Sequence, residues 1–160
     1  MAEPAPLVRP ARAQDVDPIV RLWREMWDFH APHDPRFQAT AEADIAMASW
    51  IRMHLEAEGS IVLVAEDARG ALEGYCLGMI LQNFPGLPAP TYGRVSEIAV
   101  HRRREGIGTR LLEAAHAWFR ARGVPYVEVD VSVRNPVARA FWRKQGYGDF
   151  LERLRLDFKT

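Results

Sequence analysis

The spacing of hydrophobic positions changes near residue 60. Before it, apolar side chains recur at helical intervals. Ile19, Leu22, Trp23, Met26, Trp27 and His30 fall three or four residues apart and predict an amphipathic helix, with Asp15 placed to cap it. The two prolines of HAPHDP break that helix. After Thr40, Ile45, Ala48, Ile51 and Leu55 share one face of a second helix that Gly59 ends. Leu7 and Val8 mark a short first strand. Beyond residue 60 the period shortens. SIVLVAED predicts a buried strand, DARG a turn, and LEGYCLGMILQ a longer strand. FPGLPAP, with three prolines and a glycine, is a loop, and TYGRVSEIAV is the third strand of this central group.

A helical stretch follows, with Ile107, Leu111, Leu112, Ala115, Trp118 and Phe119 on one face and Gly123 at its end. VPYVEVDVSV predicts another strand, and NPVARAFWRKQG a short helix closed by Gly146. In the tail, Leu154, Leu156 and Phe158 alternate with Arg153, Arg155 and Asp157, the pattern of a strand with one wet face. The order β, α, α, three strands, α, β, α, β predicts an α/β (α+β) fold with a central mixed, mostly antiparallel sheet. About four helices flank it, on both faces. At 160 residues a single domain over 1–160 is expected.

Composition narrows the chemistry. Apolar residues make up 48% and charged residues 26%, and formal net charge is zero. A duplex-binding protein carries a basic excess, so no nucleic-acid partner is expected. No apolar run approaches the ~20 residues that span a bilayer, and MAEPAPLVRP lacks the apolar core of a signal peptide, so no membrane partner is expected. Cys76 is the sole cysteine, which suits a reducing cytoplasm, and its setting in YCLGMIL is that of a small buried hydrophobe. Lysine occurs only at Lys144 and Lys159 against many arginines, alanines and prolines, a hint of a GC-rich bacterial source.

Residues 102–112 read RRREGIGTRLL. A strand ends at Val100 and a helix begins near Gly106. The first turn of a helix offers unpaired N–H groups at the positive end of its dipole, a setting that binds phosphate. Gly106 and Gly108 let a bulky diphosphate approach the backbone, and Arg102, Arg103 and Arg104 add charge. Solvated arginines at a plain helix start would look the same. The stretch is neither a GK[ST] phosphate loop nor a GxGxxG turn.

Two motifs carry a resemblance. Arg103-Arg104-Glu105-Gly106-Ile107-Gly108 resembles the R/Q-x-x-G-x-G/A signature of the GNAT superfamily of acyl-CoA-dependent N-acetyltransferases, and follows a strand ending EIAV. NPVARAFWRKQGY resembles that superfamily's later N-x-x-A-x-x-(apolar)-Y-x-x-x-G-(aromatic) motif through Asn135, Ala138, Phe141, Gly146 and Tyr147. The resemblance spans roughly residues 94–147. It implies acetyl-CoA as co-substrate, its pyrophosphate held on backbone amides from Arg103 to Thr109 by Arg103, Arg104, Glu105, Gly106, Ile107, Gly108 and Thr109. It also implies that Ile98, Ala99 and Val100 pair with the pantetheine arm and help polarise the thioester carbonyl. Asn135, Ala138 and Trp142 complete the implied cofactor set. The chain departs from the motif at Trp142, where the family usually has a Tyr that protonates the departing thiolate. An indole N–H donates hydrogen bonds but does not release its proton.

Acetyl transfer to an alkyl amine needs a base, since at pH 7 about one amine in a few thousand is unprotonated. Glu97, in the strand before the cradle, resembles the acidic position that serves this purpose in several members. A salt bridge with Arg94 is the competing expectation. Glu128 and Asp130 are second candidates. Trp27, His30, Glu97 and Asp130 are the expected acceptor-site residues. His30 and His33 invite a metal reading, but Pro32 spoils a helical pair and no third ligand stands nearby, so no metal is expected. The expected function is direct acetyl transfer from acetyl-CoA to a primary amine. The competing class is a catalytically silent acyl-CoA-binding module, which Trp142 keeps open. Nothing in residues 11–58 selects an acceptor. Dimers are common in the family, and the alternating tail is a candidate homodimer edge.

Overall fold

The computed structural model describes residues 4–101 and 106–158. The chain divides into two compact units, residues up to Asp130 and residues from Val131 onward.

In the first unit β1 (Leu7–Pro10), β2 (Ser60–Glu66), β3 (Leu72–Gln82), β4 (Thr91–Val100) and β5 (Val127–Glu128) form one sheet in the order β1-β2-β3-β4-β5. The first three pairings are antiparallel and β4–β5 is parallel. Helices α1 (Val16–His30), α2 (Ala43–Glu56) and α3 (Ile107–Ala121) complete the unit. The mixed, mostly antiparallel sheet and its helices match the expected fold class.

Strand alternation sorts the sheet into two faces. Val62 and Val64 of β2, Tyr75 and Leu77 of β3 and Ala99 of β4 join one core with Val16, Ile19, Leu22 and Trp23 of α1 and Met47 and Ile51 of α2. The other face carries glycines where α3 lies. A Cβ on Gly93 would stand 2.9 Å from two ring carbons of Phe119 and 3.0 Å from Val127, and one on Gly78 would stand 2.9 Å from the tip of the same ring. These two glycines therefore let a fully buried Phe119 lie flat on the sheet. That contact sets how closely α3 approaches β4.

Four local expectations are corrected. Ile45 is 74% exposed, and α2 instead buries Met47, Ile51 and His54, one step around the helix from the expected face. Asp15 occupies the N-cap position of α1 without capping it. Its buried carboxylate instead accepts the Arg12 N–H at 2.7 Å and the Arg9 guanidinium at 2.7 Å, and Arg9 also bonds Glu66. The strand predicted over VPYVEVDVSV shrinks to Val127–Glu128. The tail forms no strand through Phe158, and Phe150, Leu151, Leu154, Leu156 and Phe158 are each more than 70% exposed.

In the second unit Pro136 at the first turn and Asn135 at the cap start α4 (Pro136–Lys144), with the Asn135 side-chain oxygen accepting the Ala138 N–H at 2.9 Å. Gly146, at φ +90, follows the end of the helix.

Candidate active site

Glu97 owes its position to a defect in pairing. Leu77 pairs Glu97 and Gly78 pairs Val95, so Ser96 is an extra, bulged residue. Without it Gly93, Val95 and Glu97 would share the face under α3. The bulge turns Glu97 to the opposite face, beside Tyr75. There Tyr75 Oη donates to Glu97 Oε2 at 3.0 Å. The indole of Trp50, on α2, lies near the same carboxylate and favours its ionised form.

The electrostatics follow from burial. Loss of solvent lifts the Glu97 carboxyl above its ordinary 4.5, against Tyr75 and Trp50, which favour the ionised form. Tyr75 is fully buried, and burial together with the nearby Glu97 charge drives its hydroxyl well above 10, so it stays a donor. Burial, and secondarily Glu97, pushes the Cys76 thiol up to about 12, as suits an inert core cysteine. The expected salt bridge between Arg94 and Glu97 does not form. Arg94 pairs Asp130 instead.

One edge of β4 opens at the same level. β5 pairs β4 only at Gly93 and Arg94. The His101 N–H bonds the Glu73 carbonyl, so by ladder alternation Glu97 and Ala99 direct their N–H groups to β3 while Ile98 and Val100 direct theirs to the other edge. Ile98 and Val100, rather than Ala99, are therefore the strand amides available to a ligand. Among the described residues no strand pairs with that edge beyond Arg94.

Six residues separate the end of β4 from the start of α3. Gly106 is its N-cap, at φ +76, and makes no side-chain cap bond. A Cβ there would meet no atom of the described residues within 4 Å. Left-handed backbone and open space at a helix N-terminus are what an approaching anion needs. Ile107 is buried and Gly108 and Thr109 are half-buried in the first turn. The predicted contributions of Arg103, Arg104 and Glu105 fall outside the described residues.

A family model for the acetyltransferase (GNAT) family matches residues 17–147. The chain belongs to the GNAT acetyltransferase family. Solved structures agree with the fold. A mutant of the BH1408 protein from Bacillus halodurans is 25% identical, with a TM-score of 0.86 over 96% of this chain and 99% of that one. An aminoglycoside N-acetyltransferase, AAC(6')-Iy, solved in complex with CoA, is 17% identical at a TM-score of 0.78, over 99% and 97% of the two chains. An aminoglycoside 6'-N-acetyltransferase from Acinetobacter haemolyticus is 15% identical at 0.75, over 96% and 99%. Among curated protein sequences none matches.

Within this GNAT chain the structure brings Glu97 to the open strand edge but leaves other expected residues elsewhere engaged. Asp130 is held by Arg94, and Asn135 caps α4. Trp142 is buried on α4 and packs edge-on against Phe141 and Tyr147, at centroid distances of 5.2 and 4.9 Å. Trp27 and His30 join an aromatic cluster with Trp23, Phe29 and Phe37 at the end of α1. The Trp27 Nε1 atom is buried with no hydrogen-bond partner among the described residues. Sequence reasoning missed Tyr75 and the polar role of Trp50. Tyr75 sits in an apolar run and reads as core. Its alternation with Leu77 was the available signal, since both share the face to which the bulge delivers Glu97.

Proposed function

We propose that this chain is an N-acetyltransferase that moves acetyl from acetyl-CoA directly to a primary amine, with Glu97 as general base. The observation that carries it is the placement of a half-buried carboxylate, hydrogen-bonded by Tyr75, on the strand whose edge opens beyond Arg94. The family match from 17 to 147 runs through both units, which supports one acetyltransferase domain over 1–160.

The fit to acetyl-CoA rests on three features. The α3 start at Gly106–Thr109 takes the pyrophosphate, and the motif resemblance adds Arg103, Arg104 and Glu105. The edge of Ile98, Ala99 and Val100 takes the pantetheine arm. The motif resemblance, rather than geometry, adds Asn135, Ala138 and Trp142. Glu97 accepts a proton from the ammonium form of the acceptor, directly or through one water. The freed amine nitrogen then forms a bond to the acetyl carbonyl carbon. The outward N–H groups of Ile98 and Val100 stabilise the oxyanion. The carbon–sulfur bond breaks as the carbonyl re-forms, the nitrogen loses its second proton to solvent to leave the neutral amide, and the thiolate takes its proton from solvent, because Trp142 supplies none. No covalent enzyme intermediate is required. Trp27, with its orphan indole donor, and His30 line the acceptor side. Asp130 contributes charge there as a partner of Arg94.

The exposed alternating apolar tail supports a homodimer. Trp142 in place of the family tyrosine favours the second reading, a silent acyl-CoA-binding module. A pH–rate profile of thiol release from acetyl-CoA with a primary-amine panel separates the two. An aminoglycoside, a diamine and a lysine peptide belong in that panel. The enzyme reading expects amine-dependent release that rises with pH and falls about 10²–10⁴-fold in Glu97→Gln. A protein that binds CoA but releases no thiol with any of them is the silent module.

A further inference from the structure

Glu97 accepts a hydrogen bond from Tyr75 and lies near the Trp50 indole, and neither residue belongs to the motifs that carry the family resemblance. We infer that Tyr75 and Trp50 are positioning residues that aim the Glu97 carboxylate and keep it ionised, and that His54 and Ser60 hold Trp50 in place. This rests on Glu97 being the base.

A base must be ionised, yet this carboxylate is drawn out of water, which favours the protonated acid. Fixed hydrogen-bond donors offset that cost without adding a second charge that would compete for the amine. Tyr75 Oη, 3.0 Å from Oε2, is fully buried between β2 and β4 and has no freedom to turn away. Trp50 brings its indole near the same carboxylate from α2 and favours its charge. Its ring is 38% exposed, so packing alone does not fix it. The neighbour one helical turn on does. His54 meets the Trp50 ring edge-on, at a centroid distance of 4.2 Å and 74° between planes. His54 is itself buried, with Nδ1 2.7 Å from Ser60 Oγ at the start of β2. Burial lowers the His54 pKa, so the ring is neutral and adds no charge beside Trp50.

Two charged groups on the surrounding elements are engaged elsewhere. Glu25 of α1 pairs His101 at 2.8 Å, and Arg94 of β4 pairs Asp130. On β3 the Cys76 thiol stays protonated. The titration of Glu97 therefore reports mainly its burial, Tyr75 and Trp50.

The test titrates the Glu97 carboxyl by side-chain NMR in the full chain, with the resonance identified by its loss in Glu97→Gln. It needs no acceptor. Tyr75→Phe removes one oxygen and keeps the ring, and should move the Glu97 midpoint up by about one pH unit or more. Trp50→Phe should move it in the same direction, and His54→Leu by a smaller amount through loss of the Trp50 orientation. The acid limb of the thiol-release profile should move with the Tyr75→Phe midpoint. A Tyr75→Phe or Trp50→Phe midpoint equal to wild type, in a folded variant, overturns the inference. An acid limb unchanged in Glu97→Gln, with the Tyr75→Phe midpoint shifted, overturns the base assignment instead.

Discussion

Gly106→Asn separates the proposed diphosphate site from the stability of the fold. Gly106 holds φ +76, where an L-residue ordinarily loses about 1–2 kcal/mol, but asparagine tolerates this region better than most. An added Cβ meets no atom of the described residues within 4 Å, so steric cost against them is small. The expected stability loss is under about 1 kcal/mol, a Tm shift of roughly 2–4 °C or less at this chain length. Ligand binding should suffer more. The new side chain occupies the open space in front of the helix, and its oxygen competes for first-turn N–H groups. Losing one hydrogen bond to a charged group removes about 1.5–3 kcal/mol, or roughly 10- to 150-fold in Kd. Gly70→Asn is the matched control, since Gly70 has φ +84, open space at its Cβ and a place in the turn between β2 and β3. Calorimetric titration with CoA at fixed salt, beside a melting curve, reads both effects. Gly106→Asn should weaken CoA binding while Gly70→Asn leaves it intact. Wild-type affinity in a folded Gly106→Asn variant, or equal losses in both, would refute the cradle.

Three further outcomes follow from the same structure. Glu97 has a raised folded pKa, so its favourable contribution is present below about 4.5 and is lost as pH rises through the folded value. Glu97→Gln should therefore melt higher than wild type at pH 7–8, with the gap closing below pH 4.5 in a melting series. Asp15 is the opposite case. The Arg9 hydrogen bond holds its carboxyl below 3.8, so Asp15→Asn should lose about 2–3 kcal/mol at neutral pH, somewhat less than a fully broken buried pair because Glu66 still faces Arg9. That loss should shrink as pH falls below 3.8, as denaturant titrations at both pH values would record. Trp142→Phe should lower turnover only modestly and Trp142→Tyr should leave the enzyme active, as steady-state thiol release would measure. Abolished turnover in Trp142→Phe with intact CoA binding would assign the indole N–H a direct chemical role.

Much of the fold was legible because periodicity is a local signal. α1, β3, β4 and α3 appear where their spacing put them, and Gly70, Gly123 and Gly146 take the positive φ that turns and helix ends require. What failed depends on partners outside the local pattern. The face of α2 follows from packing against α1 and β2, and Ile45 alone could not reveal it. The tail alternates like a strand, yet a strand exists only where another supplies its ladder. The site was harder still. Nothing in TYGRVSEIAV marks Ser96 as the bulged residue, although that one extra residue decides which face Glu97 occupies. The nucleotide-side residues were reached through motif resemblance, whereas Tyr75 and Trp50 come from sheet register and helix packing.

The most direct test of the account is product analysis with acetyl-CoA and the primary-amine panel, wild type beside Glu97→Gln. The account predicts that wild type forms an N-acetylated amine in a one-to-one ratio with free thiol, and that Glu97→Gln forms the same product about 10²–10⁴-fold more slowly with CoA affinity retained. Thiol release at the same rate with and without amine, or equal product from both proteins, would contradict it.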